Sequence, residues 1–166
     1  MRVAIVCGNP KAKSRTLEAG VFVAQKLTGT PPDLVLDLVD IGPNLLGWGD
    51  PVAQKAVADV QACQLAIFAS PTYKGTYTGL LKLFLDQVPT DGLNGVIGIP
   101  LMLGAALGHA MAPDLLLKPV LVELGAACPA RGLYLLETDY TSDAIVDPWV
   151  ARVRPFLPST YHTSQS

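Results

Sequence analysis

The sequence predicts an α/β fold: one doubly wound sheet of five parallel strands, order 2-1-3-4-5, with helices on both faces. Three observations carry that expectation. Short, nearly continuous apolar runs recur along the chain, each closed by Gly, Pro or Asp. Between them lie stretches whose apolar residues fall at helical spacing. The chain has 166 residues, half of them hydrophobic and 16% charged, which suits one domain with one sizeable core rather than a disordered polymer.

The elements follow in order. Residues 2–7 read as a strand buried on both faces, and 16–27 as a helix with Leu17, Val21, Val23, Ala24 and Leu27 apolar and Ser14 or Thr16 at its cap. "PDLVLDLVD" reads as a second strand, with Pro32 and Asp40 bracketing Leu34, Leu36 and Leu38. Residues 41–50 form a Gly- and Pro-punctuated loop, and Asp50-Pro51 opens a helix to about Ala62. "QLAIFAS" is a third strand halted by Pro71, followed by a helix over 79–88. "GVIGIPLML" is a fourth strand, weakened by Pro100, which is tolerable near an edge or a bulge. A helix over 112–124, a strand in "ARGLYLLE" and a helix over 143–156 complete the chain, and residues 158–166 are expected to be a disordered tail. Strands separated by helices demand right-handed crossovers and hence a parallel sheet. Five of them in this length fit the flavodoxin-like order better than a six-stranded dinucleotide fold.

Composition narrows the function. A net charge of -2 gives no electrostatic case for nucleic acid or an anionic membrane. The longest apolar stretch, 96–112, contains Pro100, three Gly and His109, and falls short of the roughly 20 residues of a membrane span. The opening residues leave no room for a signal peptide before Gly8 and Pro10. Cys7, Cys63 and Cys128 are odd in number and form no CxxC pair, which fits a reducing cytoplasm and offers no zinc site. With only two histidines and no GxSxG, a Ser-His-Asp hydrolase or a catalytic metal is poorly supplied.

Ligands of such sheets sit beyond the carboxyl ends of the strands where the order reverses, here between strands one and three. The loops there are 8–16, "GNPKAKSRT", and 70–79, "SPTYKGTYTG". The first fails both the Walker register and the GxGxxG fingerprint. It still places hydroxyl, amide and basic groups at a helix N-terminus, where free N–H groups and the helix dipole favour an anion. The second joins a rigid Pro, a Tyr and two Gly, the makings of a backbone platform for a planar ring.

Together these loops resemble those of the NAD(P)H-dependent FMN reductase family, especially the members that supply reduced FMN to monooxygenases acting on sulfonates. "GNPKAKSRT" is similar to its GSPRxxS-type phosphate loop, "SPTYKGTYTGLLKLFLD" to its SPxYxxxxxGxLKxxLD segment, and "LGHAMAPDLLLKPVLVELGA" to its fourth-helix region. The resemblance implies that Lys11, Ser14, Arg15 and Thr16 bind the FMN phosphate, with Asn9 standing where Ser is usual. It implies that Pro71, Thr72, Tyr73, Lys74 and Gly75 line the flavin ring and ribityl chain, with Gly104 and Ala105 near the ring's other edge. Leu115 falls where some relatives carry an extra Tyr.

The expected reaction is hydride transfer from NAD(P)H to the flavin, with no catalytic side chain, because the cofactor carries the chemistry. A homodimer or homotetramer is implied, as is a flavin-dependent monooxygenase partner. The helix 79–88, apolar nearly all round, independently calls for a covering partner. Cys7 reads as a packing residue and His109 as a loop or interface hydrogen-bonder. The alternatives are a quinone, azo or chromate reductase with bound FMN, and a non-enzymatic flavodoxin-type carrier, against which the weak acidity and 7% aromatic content argue. A flavin-binding regulatory module without turnover is a third.

Overall fold

A computed structural model describes residues 1–158, so the expected disordered tail lies outside the described residues from 159 onward. Strands β1 (Val3–Cys7), β2 (Leu34–Asp37), β3 (Leu65–Pro71), β4 (Ile97–Gly104) and β5 (Leu133–Leu136) form one sheet in the order β2-β1-β3-β4-β5. Every pairing is parallel, as expected. Helices α1 (Arg15–Thr28), α2 (Pro51–Gln61), α3 (Gly79–Asp86), α4 (Lys118–Glu123) and α5 (Asp143–Val153) alternate with the strands.

Residue alternation along the strands divides the core in two. Ala4, Val6, Ala66, Phe68 and Met102 pack with α2, α3 and α4, while Val3, Ile5, Leu65, Ile67, Ala69, Leu101 and Leu103 pack with α1 and α5. Both faces of the central strands are therefore covered, which is why those strands read as continuous apolar runs. Each fully buried large aliphatic side chain stabilises the fold by about 1.5–3 kcal/mol. The helix starts are fixed by local polar groups. Asp50 Oδ1 accepts the N–H groups of Val52 and Ala53 ahead of α2, and Thr78 Oγ1 accepts that of Leu81 ahead of α3.

Four details depart from the expected elements. β2 stops at Asp37, and Leu38–Leu45 is a 3-10 helix rather than strand and loop. β2 is an edge strand whose register with β1 ends at Cys7 opposite Asp37, so Leu38 and Leu45 turn into the core, where both are buried. Pro71 lies within β3 rather than beyond it. The Ala69 carbonyl faces β1 and the Thr72 N–H faces β4, so alternation puts the Pro71 nitrogen on the β1 side, past the last β1 residue.

Pro100 is in a central strand, neither at an edge nor in a bulge. The Gly98 N–H and the Gly104 carbonyl both bond on the β5 side, so the Pro100 nitrogen also points there, one residue before pairing with β5 begins at Leu101. Neither proline removes a ladder hydrogen bond. The fourth helical region opens with a π-helical turn, Pro113–Leu117, before α4, the Lys118 N–H bonding the Pro113 carbonyl. Pro119 has no N–H for the Leu115 carbonyl, and the slip in register falls there.

Candidate functional site

The carboxyl ends of β1 and β3 open into a cleft of about 550 Å³ lined by Asn9, Lys11, Lys13, Ser14, Arg15, Thr16, Glu18, Pro71, Tyr73, Leu103, Glu137 and Tyr140. Its floor is held by a short network. The Gly8 N–H donates to the Ala69 carbonyl at 2.8 Å, and the Thr78 hydroxyl donates to the Gly8 carbonyl at 2.5 Å. A Cβ on Gly8 would sit 2.5 Å from Leu81 Cβ, so only glycine lets this loop rest on α3. Ser70 Oγ accepts the Thr78 N–H at 3.0 Å, closing the second loop across its base, while the Thr78–Gly8 bond ties that loop to the first.

The first loop is organised from within. Asn9 Nδ2 donates to Thr16 Oγ1 at 3.0 Å, and Asn9 Oδ1 accepts the Lys11 N–H at 2.9 Å. Lys13 takes a left-handed conformation, φ 51°, with its N–H donated to Asp37 Oδ2 at 3.0 Å. Ser14 caps α1, its Oγ accepting the Leu17 N–H at 3.3 Å. Ser14 and Thr16 are 3% and 2% exposed. Each hydroxyl oxygen accepts one bond here and can still donate its proton. The N–H groups of Arg15 and Thr16, in the first turn of α1, have no partner among the described residues. This is an anion cradle: two hydroxyls able to donate, amides and the helix dipole, with Lys11 and Lys13, which have no ion-pair partner among the described residues, lining the same cleft.

Beneath the cradle, Cys7 is buried, and burial pushes its thiol up to about 11. It packs 3.8 Å from Ser14 Oγ as a neutral group. Asp37 is also buried, and burial raises its carboxyl above the ordinary value of 3.8. Its Oδ1 has no hydrogen-bond partner among the described residues.

The second loop is a two-residue hairpin. Tyr73 and Thr76 exchange backbone bonds at 2.9 and 3.2 Å, with Lys74 at φ 53° and Gly75 at φ 85°. Positive φ at both central positions is the type I′ geometry, and Gly75 meets it without strain. The hairpin tip approaches the β4 exit, where a Cβ on Gly75 would lie 3.5 Å from His109 Cε1. The Thr72 N–H donates to the Leu103 carbonyl at 2.6 Å, while its hydroxyl is buried without a partner among the described residues. Gly104 has no room for a Cβ, which would collide with the Tyr134 hydroxyl, itself donating to the Ala106 carbonyl at 2.8 Å.

The far wall joins α1 to the turn after β5. Arg15 Nη2 donates to Glu137 Oε2 at 2.8 Å and Nη1 to the Glu137 carbonyl at 3.2 Å, and the Tyr140 hydroxyl donates to Glu18 Oε2 at 2.6 Å.

Of the residues expected at the site, the cleft gathers Asn9, Lys11, Ser14, Arg15, Thr16, Pro71 and Tyr73. Thr72, Lys74, Gly75, Gly104 and Ala105 do not line it and lie instead in the hairpin after β3 and at the end of β4. The sequence reading missed Lys13, Glu18, Leu103, Glu137 and Tyr140 as lining residues, and Asp37, Ser70 and Thr78 as supports. Asp37 and Glu137 end or follow strands at the carboxyl edge, so the switch-point rule carried a signal for them. Tyr140 had none. Among the described residues no three His, Cys, Asp or Glu gather as a metal set.

A doubly wound sheet with an anion cradle and a backbone platform side by side at its switch point defines a flavodoxin-like protein built for a phosphorylated planar ligand. The profile of the NADPH-dependent FMN reductases matches residues 1–141, and the chain belongs to that family. It is 31% identical over 138 residues to an FMN reductase (NADPH) of Escherichia coli K12, covering 81% of this chain and 72% of the relative. It is 34% identical over 164 residues to an FMN reductase (NADPH) of Pseudomonas aeruginosa, covering 92% and 87%. The crystal structure of the apo form of an NADH:FMN oxidoreductase superimposes with a TM-score of 0.85 at 25% identity, covering 98% of this chain and 92% of that one.

Proposed function

We propose that this chain is an NAD(P)H-dependent FMN reductase, using the cleft between the β1 and β3 exits as its flavin site. The observation that carries the reading is the cradle itself, where buried Ser14 and Thr16 hydroxyls able to donate stand beside helix N–H groups with no partner among the described residues. The donor set suits a phosphate monoester, and Pro71 and Tyr73 at the β3 exit line the same cleft.

In this reading Ser14, Thr16, Lys11 and the Arg15 N–H hold the phosphate, and Asn9 keeps Thr16 and Lys11 in place. Pro71, Thr72, Tyr73, Lys74 and Gly75 support the ring and ribityl chain, and Gly104 and Ala105 bound the opposite edge. Bound FMN supplies the hydride acceptor. The protein's task is to hold it and leave one face open.

Residues 1–157 then form one flavin-binding domain. Three free cysteines support a cytoplasmic setting, and no helix among the described residues is long and apolar enough to cross a membrane. A homodimer or homotetramer is part of this proposal, although its support shifts. On α3, Leu81, Phe84 and Leu85 are buried and Leu80 and Leu83 are partly covered within the chain. Exposed apolar side chains lie instead along the fourth helical region, at Leu107, Met111, Leu115, Leu116 and Val122, and ahead of α2, where Leu46 and Trp48 are the most exposed of all among the described residues. A flavin-dependent monooxygenase is the proposed recipient of the reduced FMN. The testing assay is NAD(P)H oxidation with and without added FMN. The reading expects turnover that depends on FMN, and its absence with both nicotinamides overturns the reading.

A further inference from the structure

Resting on that flavin reading, we infer that Glu137 sets the affinity for FMN by holding the Arg15 guanidinium away from the phosphate cradle. Arg15 is the first residue of α1, so its backbone N–H belongs to the cradle while its side chain is spent elsewhere. Both ends of the fork are occupied by one residue, Nη2 on the Glu137 carboxylate and Nη1 on the Glu137 carbonyl. The neighbouring acid, Glu18, is engaged in turn by the Tyr140 hydroxyl. Two rungs thus join α1 positions three residues apart to positions three residues apart after β5.

Arginine is the side chain best shaped for a bidentate grip on phosphate. Here it lines the same cleft as Ser14 and Thr16 but is paired to a carboxylate that lines it too. Glu137 therefore competes with the phosphate for the guanidinium. The pair is 56% and 34% exposed, and an ion pair this open to water is worth roughly fivefold or less in an equilibrium. It weakens FMN binding without abolishing it. That suits a flavin that leaves after reduction better than one held permanently.

The test is fluorescence titration of the full chain with FMN and with riboflavin, for wild type, Glu137→Gln, Glu137→Ala, Arg15→Met and Arg15→Met/Glu137→Gln. Both Glu137 variants should bind FMN about two- to fivefold more tightly. The gain should grow at low salt, riboflavin should be unchanged, and the double variant should lose the gain. A wall that is merely braced by the pair predicts the opposite, with FMN and riboflavin weakened alike. Unchanged or weaker FMN binding in both Glu137 variants overturns the inference. So does equal tightening of riboflavin, or a gain that survives Arg15→Met. Failure of the wild type to bind FMN at all is a separate result, which removes the flavin reading and this inference with it.

Discussion

Replacing Ser14 by Ala separates the two duties of that hydroxyl. As a cap it accepts the Leu17 N–H at 3.3 Å, beyond the usual hydrogen-bond length, so the loss of stability should fall at the low end of the cap range, about 0.5–1 kcal/mol. In a chain of this size that lowers Tm by roughly 1–4 °C. As a donor it has one proton for a dianionic phosphate, and a hydrogen bond to a charged group contributes about 1.5–3 kcal/mol. FMN affinity should therefore fall by roughly 10- to 150-fold, since about 1.4 kcal/mol is a factor of ten. Riboflavin has no phosphate and should lose less than about twofold, the share of a slightly frayed helix start. Quenching of flavin fluorescence reads both constants, and a thermal melt reads the cap. An equal loss for FMN and riboflavin would mean that the hydroxyl serves only the helix, and the phosphate assignment would fall.

Two further outcomes follow from the groups beneath the cradle. Cys7 is fully buried with its thiol pushed up to about 11, so iodoacetamide at pH 8 should leave it unlabelled in the native protein and modify it only after unfolding; rapid native labelling would contradict the packing given for it. Asp37 has a folded pKa raised above its ordinary 3.8, so the native state holds this proton more tightly than the unfolded chain does. Its contribution to stability is then full below pH 3.8 and declines as pH rises through the raised folded value. Asp37→Asn, which keeps an acceptor for the Lys13 N–H, should gain on wild type across that window in urea denaturation; a gap that moves the other way refutes the sign.

The sheet was legible because β1 and β3 are buried on both faces, so their runs carry no polar interruption. Pro71 was expected beyond its strand, and Pro100, rightly placed within one, stood as a weakness there, for one reason. Whether a missing N–H matters depends on which neighbour it faces, and Pro71 and Pro100 each face a side where pairing has ended or not begun. Leu38 was assigned to a strand because it continues the alternation of Leu34 and Leu36, a pattern that cannot show where the edge strand's only partner stops. At the site, Ser14 and Thr16 were visible as polar residues at a helix start. The hairpin 73–76 was readable in principle, since Lys74-Gly75 provides the positive φ values, but it sits inside a βα connection where no hairpin is expected. The far wall was least visible. Arg15 and Glu137 are 122 positions apart and meet only because the Arg15 side chain reaches the turn after β5.

The account's central claim is that the cleft holds FMN with one face open to a nicotinamide. Anaerobic mixing of the FMN-loaded protein with NADPH, and separately with NADH, tests it most directly by following the flavin absorbance. The account predicts bleaching in a single two-electron step with at least one of the two nicotinamides, with no long-lived one-electron species. Negligible reduction by both, together with a stable one-electron form under partial chemical reduction, would contradict it and make the protein an electron carrier.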